Sequence, residues 1–376
     1  MSAAATGPTG AARVVLAGAH GHGRVHRENL AHLADLGVAS LVGVCDPVPV
    51  EGVAWSPELG ALIEDLEPDV VLIATPIHTH VELALTAVRA GRAVLLEKPP
   101  APTFSEFARL RAAVETAGVA CQVGFQSLGS AGVDAVREIV ASGRIGAVRG
   151  VGGAGTWIRT VAYYDRAPWA GRRRLGDVPV VDGALTNPFA HMVATALALT
   201  GSSVAEVTPE LFHAYPIEAD DTAAIRIRTA AGTPITLAVT LCAAQHRTPY
   251  LVVHGSRGRV TLHYTEDVVT VVTEDGTERQ QHRRVDLLTD LVAHLRDPGH
   301  PLRVPLAATA GFMHVLDAVR RAPEPATIPP GWIRESGTGP ESRREVLGVD
   351  DAVLAAAQTL RTFREQEVPW AEPTDH

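Results

Sequence analysis

Residues 12–46 read ARVVLAGAHGHGRVHRENLAHLADLGVASLVGVCD, and this stretch decides the fold. An apolar run at 14–17 opens onto Gly18-Ala19-His20-Gly21-His22-Gly23, a helix candidate begins near Arg24, and a second apolar run at 41–45 ends on Asp46. Strand, glycine turn, helix and strand make one βαβ unit. Glycines in such a turn let backbone N–H groups approach a pyrophosphate, and the helix N-terminus adds the positive end of its dipole. The spelling departs from G-x-G-x-x-G, because its second glycine position holds His20 and Gly21 comes one residue late. Asp46 ends the second strand, where a carboxylate can hold ribose hydroxyls and repel the 2′-phosphate of NADP, which favours NAD.

Outward from this unit the same alternation continues. Apolar runs at 70–74, 93–96 and 119–124 interleave with helix candidates at 57–66, at 80–90 with Gly91 as C-cap, and at 105–117. The last carries a capping box, Thr103 and Glu106, and stops at Gly118. Residues 1–128 are therefore expected to form an α/β Rossmann-type, doubly wound parallel sheet that binds a dinucleotide.

Beyond Leu128 a helix candidate at 133–142 precedes glycine-broken strands. Runs at 222–229, 235–242, 250–254 and 259–263 follow, separated by Ala-Ala-Gly, Ser-Arg-Gly and Glu-Asp-Gly turns that favour antiparallel hairpins. Helices are expected at 287–296 and 307–320, then a Pro/Gly-rich stretch at 323–339 and a final helix at 350–366. Residues 129–376 thus read as a C-terminal α+β domain with a mostly antiparallel, open-faced sheet and a helical tail. Val368-Pro369-Trp370 could anchor that tail, or belong to an ordinary surface helix.

Composition excludes several classes. The 376 residues carry a formal net charge of -9, with Lys and Arg scattered, so no basic footprint for nucleic acid exists. The first dozen residues, MSAAATGPTGAA, lack a basic n-region and an apolar h-region, and no apolar run is long enough to cross a bilayer. A cytoplasmic location is expected, without nucleic-acid or membrane partners. Cys45, Cys121 and Cys242 each sit in an apolar run and read as small buried hydrophobes. His20, His22 and His26 crowd together, but a glycine turn aimed at phosphates is a poor metal cage, and no metal site is expected.

Residues 69–103 read DVVLIATPIHTHVELALTAVRAGRAVLLEKPPAPT. Ala74-Thr75-Pro76, His80, Ala90-Gly91 and above all Glu97-Lys98-Pro99 together resemble the glucose-fructose oxidoreductase, inositol dehydrogenase and rhizopine-catabolism (Gfo/Idh/MocA) family. The likeness continues through 118–126 and 139–148 and loosens after His191, about half of the chain. It implies a Rossmann domain followed by an antiparallel-sheet domain, with the nicotinamide between them, a tightly held cofactor, and homodimers or homotetramers packed through the sheet face.

Carried over, the resemblance puts Gly18, His20, Gly21 and Gly23 at the pyrophosphate turn and Asp46 at the adenosine ribose. Thr75, Pro76 and His80 would meet the nicotinamide-side ribose and phosphate. Glu97 and Lys98 would lie beside the nicotinamide, with the Lys98-Pro99 peptide cis. Independently, a lysine at the C-terminal edge of such a sheet sits where ligands bind.

A second family signature resembles G-A-L-x-D-x-G-x-H, and residues 183–191 read GALTNPFAH. His191 fits, while Asn187 stands at the Asp position. An amide can orient a hydroxyl or an imidazole but cannot ionise. His191 is therefore assigned as general acid/base and Lys98 as the group polarising the substrate oxygen, with the converse as the alternative. A helix starting at Pro188 would take Asn187 as N-cap and put it on one face with His191.

Residues 157–174 interleave aromatics with arginines. Arg159, Tyr163, Arg166 and Trp169 are the candidate substrate contacts, suiting a polyhydroxylated ligand, neutral or anionic, unless the run is a solvated surface. The expected activity is NAD(P)-dependent hydride transfer with a secondary alcohol of a sugar, sugar derivative or cyclitol. A redox-neutral, NAD-assisted epimerase or glycoside-eliminating enzyme and a non-catalytic NAD- and sugar-sensing protein are the alternatives.

Overall fold

The computed structural model describes residues 10–372. Most of the N-terminal dozen, from which the absence of a leader is read, lies outside them. In chain order the first part holds β1 (Ala12–Ala17), α1 (Gly23–Asp35), β2 (Ala39–Cys45), β3 (Ala54–Ser56), α2 (Leu59–Leu66), β4 (Val70–Ile73), α3 (His80–Arg89), β5 (Ala93–Leu96), α4 (Phe104–Ala117) and β6 (Cys121–Val123). These six strands form one parallel sheet in the order β3-β2-β1-β4-β5-β6. Chain order reverses between β1 and β4, the point where such sheets bind their ligands at the C-terminal strand ends. β4 is buried along its whole length, as expected of a central strand whose apolar run never alternates. Thr103 caps α4, its Oγ1 accepting from the Glu106 N–H at 3.2 Å, and Gly118 ends the helix at φ +64°.

The chain continues with α5 (Ala131–Ala141), β7 (Val148–Thr156), the single turn α6 (Val161–Tyr164), a small hairpin of β8 (Arg174–Leu175) and β9 (Val178–Pro179), and α7 (Ala190–Thr200). Then come β10 (Val204–His213), β11 (Thr222–Thr229), β12 (Pro234–Thr240), β13 (Tyr250–Gly255), β14 (Gly258–His263), β15 (Val268–Thr273) and β16 (Gly276–Gln281). Last are α8 (Leu287–Arg296), α9 (Ala310–Arg321), β17 (Ala326–Thr327), β18 (Ile333–Ser336), β19 (Arg343–Val346) and α10 (Val349–Thr359). Nine strands form the second sheet, β16-β15-β14-β13-β7-β12-β11-β10-β17, mostly antiparallel. β7 is parallel to β12, and β10 to β17.

The described residues group into two compact units, 10–129 with 285–313, and 130–284 with 314–372. A single cut after residue 128 therefore misses a return of the chain. That return is held by Gln122, whose Nε2 donates to the Leu287 carbonyl at 2.6 Å and whose Oε1 accepts from the Val304 N–H at 3.0 Å. Phe125 and Phe312 pack at 4.9 Å between ring centroids.

The second sheet is covered on both faces of β7. A Cβ on Gly152 would stand 2.0 Å from the Ala357 carbonyl oxygen of α10, and one on Gly155 would stand 2.3 Å from the Phe189 ring. The expected open face is thus filled by the chain's own tail, whose Val349, Val353, Ala356, Phe363 and Trp370 join Ala154, Phe212, Ala224 and Ala238 in one buried cluster. The expected final helix stops early, at Thr359, because Leu360 turns left-handed (φ 57°) and its carbonyl accepts from Arg226 and Thr236.

Candidate active site

The first unit builds its half around the glycine turn. Gly18 has φ +86°, and a Cβ there would meet the Ala74 carbonyl and the Thr75 methyl at 2.9 Å; one on Gly23 would stand 1.9 Å from the Gly18 oxygen. The turn is therefore as tight as backbone allows, and α1 starts from it with no side-chain cap and no acid in its first turn. An uncapped helix N-terminus favours an anion. Asp46 closes the turn: its Oδ2 accepts from the Ala19 N–H at 2.8 Å and lies 3.1 Å from His20 Nδ1, and its Oδ1 accepts from the Val48 N–H at 2.9 Å. Burial alone would raise its pKa, but these donors outweigh it and hold the carboxylate ionised below its ordinary value. An uncapped helix end, a turn cleared of Cβ atoms and an ionised carboxylate at the end of β2 together fit a dinucleotide.

His20 therefore serves Asp46, and the sequence pattern that makes it an odd glycine replacement gives it a partner. His80, expected at the cofactor, is buried with Nδ1 2.8 Å from the Pro99 carbonyl and Nε2 2.8 Å from the Thr75 carbonyl, between the β4 loop and the loop after β5. Burial pushes the ring toward its neutral form against those two carbonyls.

Glu97 closes β5. Its Oε2 accepts from the Lys98 N–H at 3.0 Å, and its Oε1 lies 2.9 Å from His26 Nε2 and 3.5 Å from His22 Nε2. Burial raises the Glu97 pKa, but hydrogen bonds from His22 and His26 overcome it and hold it far below the carboxylate range, while the bond to Glu97 raises His22. The ligand atoms of His22, His26 and Glu97 lie within 4.8 Å of one another, close enough to hold a metal ion. The sequence reading weighed these histidines without Glu97, 71 residues away from His26. The Lys98-Pro99 peptide is cis, as expected, and Lys98 is half-buried just beyond the C-terminal end of β5.

In the second unit α7 starts at Ala190 with Phe189 before it, so Asn187 is not the N-cap and stands in the preceding turn, apart from the helix that carries His191. Asn187 instead donates its Nδ2 to the Oδ1 of Asp182. Asp182, almost fully buried, also accepts from the Gly171 N–H and from Arg166 Nη2, both at 2.8 Å. Burial raises its pKa against the pull of Arg166 and the other two donors. Sequence reasoning missed Asp182 altogether.

The aromatic and arginine run forms one stack. Arg159 lies 4.9 Å from the Trp157 ring and 5.0 Å from Tyr163; Arg166 lies 3.8 Å from Tyr163 and 4.7 Å from Trp169. Arg166 is spent on Asp182 and the Tyr163 carbonyl, whereas Arg159 has no carboxylate partner among the described residues. Arg173, from the same run, donates to the carbonyls of Val319, Arg320, Ala322 and Pro323 and caps α9. The run is therefore part scaffold and part stacked cation.

The chain matches two family models, an oxidoreductase family with NAD-binding Rossmann fold over residues 12–125 and the GFO/IDH/MocA C-terminal domain over residues 133–261. Among curated relatives, scyllo-inositol 2-dehydrogenase (NAD(+)) of Bacillus subtilis is 35% identical over 33% of this chain and 38% of its own length. Levoglucosan dehydrogenase of Pseudarthrobacter phenanthrenivorans is 26% identical over 60% of this chain and 63% of its own. The chain thus spans less than two thirds of either. Inositol 2-dehydrogenase of Rhizobium meliloti is 27% identical over 71% of this chain and 80% of its own. The WlbA dehydrogenase from Bordetella pertussis, solved with NADH and UDP-GlcNAcA, shares the fold at TM-score 0.69 and 24% identity, covering 83% of this chain and 96% of that one. With both its Rossmann and its C-terminal part matched, over more than half of its length, the chain belongs to the Gfo/Idh/MocA family of oxidoreductases.

Proposed function

We propose that this chain is an NAD-dependent dehydrogenase acting on a secondary alcohol of a sugar, sugar derivative or cyclitol. The observation that carries the reading is the glycine turn closed by the ionised Asp46, which suits the hydroxyls of an NAD ribose and disfavours the extra phosphate of NADP. Relatives named as inositol and levoglucosan dehydrogenases support the substrate class.

Gly18, Gly21 and Gly23 would hold the pyrophosphate, Asp46 the adenosine ribose, and Thr75 and Pro76 the second ribose, with Glu97 and Lys98 toward the nicotinamide. NAD, when bound, supplies the hydride acceptor, and its reduced form the donor. His191 takes the hydroxyl proton in oxidation and returns it in reduction, while Lys98 polarises the oxygen and Asn187 orients it. Arg159, Tyr163 and Trp169 offer a cation and two ring faces to a polyhydroxylated ligand, and Arg166 steadies them.

No described helix is long and apolar enough to cross a membrane, and we assign the protein to the cytoplasm. We assign substrate binding to residues 129–376 without the 285–313 return, and a homodimer or homotetramer as the working state. The tail over the sheet supports assembly through surfaces other than that face.

Absorbance at 340 nm across sugars, sugar acids and inositols, with NAD or NADP, tests the reading beside Lys98→Ala and His191→Ala. NADH formed by wild type and lost in both variants is the expected result. Turnover without net NADH would move the chain to redox-neutral chemistry, and tight NAD binding without turnover to a sensor.

A further inference from the structure

The family signature has an aspartate where this chain has Asn187, yet a carboxylate is present. We propose that Asp182 is the positioning residue of the second unit: by accepting from the Asn187 amide it fixes which way round that amide lies, and so supplies the carboxylate missing from position 187. The inference rests on the dehydrogenase reading above and deepens it.

Three observations carry it. First, the Asp182 side chain is 2% exposed, and it accepts from three donors that belong to separate parts of the unit: Asn187, Arg166 and the Gly171 N–H. A buried carboxylate is tolerated where it is paired and hydrogen-bonded, and here the pairing is complete. Second, the backbone is bent to put it there. Val181, immediately before it, has φ 45°, a conformation that a β-branched residue rarely adopts, and the Val180, Val181 and Asp182 N–H groups all return to the carbonyls of Arg172 and Arg173. Third, the amide has only one way round. Because Asp182 accepts only, Asn187 must turn its NH2 toward it, and the other end of the amide is an acceptor.

The same carboxylate holds Arg166, clamped between the Tyr163 and Trp169 rings. Asp182 thus couples the residue at the signature position to the stacked substrate loop. Arg166 and Tyr163 are the charged and titratable groups that face it.

A reciprocal exchange separates this role from simple folding. Wild type, Asp182→Asn, Asn187→Asp and the double exchange are compared for kcat and KM between pH 5 and 9, and for melting at pH 5 and 8. Each single variant is expected to lose about 10- to 100-fold in kcat with a smaller change in KM, the loss of one hydrogen bond to a charged group. Asn187→Asp places two carboxylates in contact, so its activity and its melting temperature are expected to rise as pH falls and one of them takes a proton. The double exchange restores one carboxylate and one amide and is expected to recover most of the lost kcat. An Asp182→Asn enzyme with the wild-type kcat and pH profile, or a double exchange no better than the worse single variant, overturns the inference while the dehydrogenase reading stands. A wild type silent toward every polyol removes that reading and this role together, and leaves the pH-dependent melting to report a folding contact alone.

Discussion

His26 Nε2 lies 2.9 Å from Glu97 Oε1, and both side chains are less than a tenth exposed. The pair joins the helix after the glycine turn to the residue before Lys98, and exposed His22 leans on the same oxygen at 3.5 Å. Glu97 titrates below its ordinary 4.5, so its stabilisation is present above that pH and is lost as pH falls toward the folded value. His22 titrates above its ordinary 6.5, so its share is complete below 6.5 and is lost as pH rises through the folded value. Glu97→Gln is therefore expected to lower the melting temperature by a few degrees, and most strongly between pH 4.5 and 6.5. A difference that stays flat from pH 4 to 9 in calorimetric scans would remove the electrostatic account.

The turn makes a sharper distinction among its glycines. An added methyl at Gly23 collides with the Gly18 oxygen at 1.9 Å, while at Gly21 it meets nothing within 4 Å and has only the φ of +57° to bear. Gly23→Ala is expected to abolish measurable NAD binding by calorimetry. Gly21→Ala is expected to bind NAD within about tenfold of wild type, because a left-handed non-glycine residue costs about 1 kcal/mol. Equal losses in both variants would mean that the turn is set by flexibility and not by contact.

The first unit was legible because its central strands are short uninterrupted apolar runs flanked by helical periods. β10 escaped notice because Glu206, Pro209 and Glu210 break its pattern, and it pairs late in the sheet with β11 and the two-residue β17. Of the β18–β19 hairpin, β18 lies in the stretch read as Pro/Gly-rich and β19 beyond it, and the pair is marked by charges, Arg334 opposite Glu345 and Glu335 opposite Arg344, rather than by an apolar run. Among the proposed site residues, Asp46, Lys98 and the departure at Asn187 could be read from strand ends and motif spacing. Asp182 could not, because four residues separate it from Asn187 and only the folded loop brings in Arg166 and Gly171. His80 shows the same limit: a motif gives a residue's place, while its two carbonyl partners come from tertiary structure.

Asp220 lies under the signature stretch. It is fully buried and accepts from the Ala184 N–H at 2.9 Å, and burial pushes its pKa up to about 6. A carboxyl raised in the folded state stabilises below its unfolded value near 3.8, and that contribution is lost as pH rises through about 6. Asp220→Asn keeps an acceptor for Ala184 without the charge. It is expected to melt like wild type near pH 4 and to be more stable above pH 6, by up to a few kcal/mol. A variant less stable than wild type at pH 8 would show that the ionised form is the one the fold uses.

The tail over the second sheet gives the last prediction. Trp370 packs at 5.4 Å from Phe212 and 5.0 Å from Phe363, and with α10 it covers Ala154, Ala224, Ala238 and Val252. These small residues suit a covering helix at close range, and bare they would form a flat apolar face on which another sheet could pack. Trp370→Ala is expected to cost about 3 to 5 kcal/mol as a cavity in that cluster. A chain stopped after Gly348 would lose the cover altogether, and light scattering is expected to find it in larger assemblies than wild type or in aggregates. If it keeps the wild-type mass and solubility, the tail is not what seals this face, and packing through the sheet would again be open to the native protein.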